Sequence, residues 1–200
     1  MSPDPKPQSL ADLLGYAEHY AEFNLRYRGS LTGTLFLLGP KGPAAFVAPD
    51  LADEAAKNAF AADARLLCIA HGASATVMAL EAWALLGAPG APVDPNQRPS
   101  LAPNRREVVA LVGEAAGVQQ AKFLPLLRNA AGTFTGFGEP HVLPGSHIQG
   151  RFAQLLPPQT PTAEQQASAH AQLRGRGIVV AAPAAAKSNV RSGPRHWHSC

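Results

Sequence analysis

One segment limits the fold more than any other: residues 50–72, which follow Pro49, carry no internal proline or glycine, and end at His71-Gly72. Asp50 is the candidate N-cap. Asp53 and Glu54 fall in the first turn, where the helix dipole favours acids. Asp53 stands four residues before Lys57, the favourable order for an ion pair. His71 lies in the last turn and Gly72 suits the C-cap. Ala55, Ala59, Ala62, Leu66 and Ile69 mark one face, which Phe60 and Leu67 widen. So many alanines predict close approach to whatever the helix covers. Cys68, inside the run Leu66–Ala70, is expected to be a buried, inert small hydrophobe.

The chain on either side reads as short elements punctuated by glycine and proline. Residues 1–8 hold three prolines and no apolar run, and are expected to be disordered. Ser9 and Asp12 have capping-box spacing. Leu10, Leu13, Leu14, Ala17, Tyr20 and Ala21 then form a helical stripe that should stop before Gly29. Residues 31–38 and 44–48 read as a β-hairpin around the five-residue loop Gly39–Pro43, with Pro43 at an edge or a strand start. Residues 73–86 read as a strand, since Thr76, Met78, Leu80 and Ala82 alternate with Val77, Ala79, Glu81 and Trp83. Residues 87–105 form a long Pro-rich loop, a class that is usually functional or mobile. Strands over 107–112, 118–127 and 132–137 then follow as an antiparallel meander. Ser146 and Gln149 suggest a short helix anchored by Phe152, Leu155 and Leu156 and stopped by Pro157-Pro158. Thr162 and Gln165 open a weakly apolar helix reaching about Leu173.

Composition sets limits on function. Of 200 residues, 19 are proline and 18 glycine, well above average usage. Residues 1–170 hold 14 acids and 12 Lys/Arg, while residues 171–200 hold Arg174, Arg176, Lys187, Arg191 and Arg195 and no acid. The net charge of +3 is therefore a property of the tail, and the body offers no concentrated basic face for nucleic acid. Cys68 and Cys200 show no disulfide framework, so a reducing, cytoplasmic compartment is expected. No secretory leader and no membrane span are expected either.

The chemistry-bearing motifs are weak. H-E-x-x-H, C-x-x-C, G-x-S-x-G, Walker and EF-hand patterns are lacking. Gly39-Pro40-Lys41-Gly42 and Gly136-Phe137-Gly138 read as turns. Cys68 and His71, three apart on a helix, could form a nucleophile–base pair only if exposed. Glu139, His141 and His147 do not make a recognised metal spacing. The terminal His196-Trp197-His198-Ser199-Cys200 offers soft ligands on a tail costly to order. No catalytic residue, metal or cofactor is assigned.

The expected architecture is two-layer α+β: a mostly antiparallel sheet packed against one long helix, with disordered termini. It comprises a disordered 1–8, one domain over 9–156, and a weakly helical then disordered basic tail over 157–200. The first helix or a partner would cover the second sheet face. The function expected is a noncatalytic protein-interaction or regulatory module that binds a protein partner or a second copy. It would act through the 87–106 loop and the adjacent sheet surface, with Trp83, Arg98, Arg105 and Arg106 as binding residues. One alternative is a small hydrolase or nuclease in which Glu81 and Glu114 converge beside Arg105 and Arg106. Another is weak nucleic-acid association through the tail.

Overall fold

Each α-helix among the described residues begins where a side-chain oxygen takes up an otherwise unpaired amide N–H. Ser9 Oγ accepts from the Asp12 amide at 3.1 Å and opens α1 (Leu10–Arg28), which closes on Gly29 in the left-handed conformation. Asp53, not Asp50, caps α2 (Glu54–His71), accepting from the Ala56 amide at 2.7 Å. Committed to the cap, Asp53 does not pair with Lys57, which bonds Glu54 at 3.0 Å instead. This computed structural model describes residues 6–86, 99–144, 148 and 150–178.

The sheet is antiparallel throughout, in the order β2-β1-β3-β4-β5-β6. β1 (Thr34–Gly39) and β2 (Gly42–Val47) pair up to Gly39↔Gly42, so the turn is only Pro40-Lys41 and tighter than the expected loop. Gly39 is required where it stands: a Cβ there would lie 2.6 Å from the His71 carbonyl oxygen. Pro43 sits on the edge strand, where a missing N–H is tolerated. β3 (Ala75–Ala84) is the strand expected over 73–86. β4 (Arg106–Ala115), β5 (Val118–Arg128) and β6 (Phe134–Phe137) form the meander. The β4–β5 turn is Ala116-Gly117 alone, so β4 runs three residues past its expected end. β7 (His141–Pro144), for which the sequence carries no clear signal, pairs with Gln120–Phe123 of β5.

Both sheet faces are covered. On one, Leu13, Leu14, Ala17, Ala21 and Leu25 of α1 pack on Phe36, Val77, Ala79, Val109, Leu111 and Leu124. On the other, Phe60, Ala64, Leu67 and Cys68 of α2 pack on Leu35, Leu37 and Met78. The α+β architecture of an antiparallel sheet against the long helix is thus present, and α1 supplies the second cover. Each fully buried leucine contributes roughly 1.5–3 kcal/mol. The sheet-facing stripe of α2 differs from the expected one. Ala55, Ala59 and Ala62 are exposed, while Phe60, Leu67 and Cys68 are buried. Alanine carries too little apolar area to orient a helix, and the large side chains decide.

The helix expected within 146–156 does not form among the described residues. Gln154 takes φ 55°, and the amides of Leu155 and Leu156 turn to the Glu114 carboxylate, Leu155 at 2.8 Å. The chain then enters α3 (Ala163–Gly175) through a complete capping box, Thr162 with Gln165. Ala169 and Leu173 of α3 join the α2 side of the core. Arg174 and Arg176 therefore belong to a packed helical end, and Arg176 pairs with Asp63 of α2 at 2.5 Å. The expectations for residues 1–5, for 87–98 and for the tail beyond 178 lie outside the described residues. No helix among the described residues is long and apolar enough to cross a membrane.

Candidate functional site

α1 lies along β3, and its length decides what the sheet leaves open. Near its N-terminus, Leu10 and Leu14 sit over Gly113, the cross-strand partner of Val77. Beyond its C-terminus, the chain turns at Gly29 and Leu31 donates its amide to the Glu81 carboxylate. Residues further along the same face of β3 have no helix above them. Trp83 is the first of these, and it is 44% exposed.

Arg105 closes on that ring. Its guanidinium carbon stands 4.4 Å from the Trp83 ring centroid, and the same group donates to the Ser100 carbonyl. Ser100 belongs to a short 3-10 turn (Pro99–Leu101), which lies against β3 and exposes Leu101. A stacked arginine over an exposed indole contributes about 0.5–1 kcal/mol and holds both groups in place. Arg106 behaves differently. Glu107 pairs with Trp83 in register, whereas Arg106 pairs with Ala84, so Arg106 sits on the other face. Trp83 and Arg105 are therefore brought together, Arg106 is exposed behind them, and Arg98 lies outside the described residues.

Beside Trp83 opens a cleft of about 670 Å³, whose lining includes Leu31, Asp50, Lys57, Glu81, Arg151 and Phe152. Its charged wall is tied down. Arg151 bonds Asn58 at 2.7 Å and also reaches Glu54. Lys57 and Arg151 hold the Glu54 carboxyl below its ordinary range. On the sheet face next to Trp83, Arg128 donates twice to Glu107, at 2.8 and 2.7 Å. That pairing lowers the Glu107 pKa and raises that of Arg128.

The two carboxylates considered for hydrolysis do not converge. Glu114 is the partner of Thr76 and Glu81 the partner of Val109, so on β3 they correspond to positions five apart. An odd separation puts them on opposite faces, roughly 17 Å apart along the strand. Each carries a backbone-holding role instead, Glu81 for Leu31 and Glu114 for Leu155.

Cys68 and His71 do not form a reactive pair either. Cys68 is fully buried, and desolvation pushes its thiol up to about 12. His71 packs edge-on against Phe46 at 5.1 Å, and its buried Nε2 has no hydrogen-bond partner among the described residues. Burial, then the charges of His170 and Lys41, lower its pKa. Among the described residues, no three His, Cys, Asp or Glu side chains are grouped to hold a metal. His147 and the terminal His/Cys run lie outside them.

The sequence reading also missed a surface on α1. Tyr16, Phe23 and Tyr27 are exposed, and Tyr16 and Tyr20 stand edge-on to Phe36 at 5.7 and 5.2 Å. The 16-20-23-27 spacing was available as a signal, but the apolar stripe facing the sheet accounted for the helix without it. Comparison of the chain with protein-family models, with curated proteins and with solved structures gives no match in any of the three.

Proposed function

We propose that this protein is a noncatalytic binding module that receives a segment of a protein partner on the Trp83–Arg105 surface. The observation that carries this reading is the half-exposed indole clamped by a guanidinium at the mouth of a cleft. Tryptophan and arginine are the residue types that dominate binding hot spots. Holding them in place before contact reduces the ordering cost of association. Leu101, next to Ser100 in the 3-10 turn, adds exposed apolar surface, and Arg106 carries positive charge on the opposite face of the sheet. The fitting partner segment presents an apolar side chain to Trp83 and a carboxylate to Arg105.

The test selects phage-displayed random peptides on the wild-type protein and measures the best binders by calorimetry. Trp83→Ala and Arg105→Ala should each weaken binding at least ~tenfold, about 1.4 kcal/mol. Thermal melting should fall by only a few degrees, in line with the loss of a stack that contributes about 0.5–1 kcal/mol, and Lys41→Ala, in the distant hairpin turn, should bind as wild type. Failure to select any peptide, or selected peptides indifferent to both variants, would overturn the reading.

A further inference from the structure

We infer that α1 is a self-association surface, and that a second copy of this chain docks on it with the two α1 helices antiparallel. The surface is separate from the Trp83 site. Tyr16, Tyr20, Phe23 and Tyr27 are spaced four, three and four residues apart, which places them in one straight stripe on the helix. Tyr20 packs partly on the core, but the other three are left largely open: Tyr16 is 49%, Phe23 56% and Tyr27 75% exposed. It runs along the flank of α1 that faces β1, as the contacts to Phe36 show. Pro43, Ala45 and Val47 of β2 are exposed on this same side, across from Leu38, Phe36 and Thr34.

The occupant follows from symmetry. A two-fold contact is isologous, so the patch must be complementary to itself turned end over end. The 4-3-4 spacing reads the same in both directions. Reversed about its centre, it sets Tyr16 opposite the partner's Tyr27 and Tyr20 opposite the partner's Phe23. Charge agrees with that direction. The first turn of α1 carries Asp12 and the last turn Arg26 and Arg28, of which Arg26 is paired with Glu22 at 2.7 Å, so that Arg28 leaves this end net basic. An antiparallel pair brings the acidic end of one helix to the basic end of the other, and a parallel pair would oppose like charges. The helix dipoles favour the same choice.

The area is adequate. Three aromatics exposed by about half or more present roughly 300 Å² per copy. The rest of the ~800 Å² per partner that a standard interface buries is available from the polar flank of α1 and the open face of β2. An interface of this size implies a reversible dimer.

Sedimentation velocity over a concentration series reads this directly. The wild-type chain should shift from monomer to dimer with rising concentration, and Phe23→Glu and Tyr27→Glu should each raise the dissociation constant at least ~tenfold. Circular dichroism of both variants should match wild type and melting should fall by only a few degrees, because the residues are largely exposed and lose chiefly their contact with each other. The helix direction is read by cysteine pairs in a Cys200→Ser background. Mixed Tyr16→Cys and Tyr27→Cys chains should cross-link to each other faster than either does to itself. A chain monomeric at all concentrations overturns the inference. So does a dimer indifferent to both glutamates, or faster Tyr16→Cys self-linking.

Discussion

Gly113 lies directly beneath Leu10 and Leu14: a Cβ on that glycine would come within 3.0 Å of one leucine Cδ and 3.3 Å of the other. The helix is seated so close on β4 that any side chain at 113 requires the ends of both leucines to give way by a few tenths of an ångström. Gly113→Val should therefore lift α1 and cost about 1–3 kcal/mol, as overpacked cores do. In a chain of this size each kcal/mol lowers Tm by roughly 2–4 °C. Leu10→Ala in the same chain should relieve part of the strain, so the double variant should lose less than the two single losses added. Additive losses, or a Gly113→Val protein as stable as wild type, would show that the seat is not tight.

The Glu107–Arg128 pair makes stability depend on acid. The folded-state pKa of Glu107 is depressed by Arg128. Its contribution is thus complete above the unfolded value near 4.3 and is lost as pH falls through the folded value. Both side chains keep over a quarter of their surface in water, so the contribution at neutral pH is at most about 1 kcal/mol. Glu107→Gln should cost that much at pH 7. The gap between variant and wild type should close on acidification below about pH 4. Urea melts across pH 2.5–7 measure it, and a gap constant with pH would discount the pair.

Cys68 should be silent to thiol reagents. A buried thiol raised to about 12 holds almost no thiolate at pH 8, and α2 blocks access. After iodoacetamide treatment at pH 8, peptide mass spectrometry should find Cys68 unmodified, with full modification only in denaturant. Rapid alkylation of the native chain would mean that α2 opens locally.

The legible parts of the sequence were those where the local signal and the tertiary demand coincide. Ser9, Thr162, Gly29 and Gly72 announce helix ends because capping is a property of a few neighbouring atoms. Residues 75–84 announce a strand because a short apolar run follows a capped helix end, and Ala75–Ala79 are buried on both faces. The misplacements have the opposite cause. Asp50 and Asp53 are equivalent caps by residue type, and only the path out of β2 selects Asp53. The amides of 155 and 156 turn to Glu114, more than forty residues away in sequence, so no local pattern could reveal the missing helix. At the site, Trp83 was legible as an aromatic near a Pro-rich loop. That Arg105 and not Arg106 reaches it depends on strand register.

Pro43 has a bearing on how far association can go. At the rim of the sheet it provides no N–H to an incoming strand, and its ring obstructs a neighbour's backbone. Copies of the chain are thereby hindered from stacking edge to edge along β2 into an open-ended polymer. Concentrated protein should stay as discrete particles at that border, with growth stopping where a proline ends the ladder.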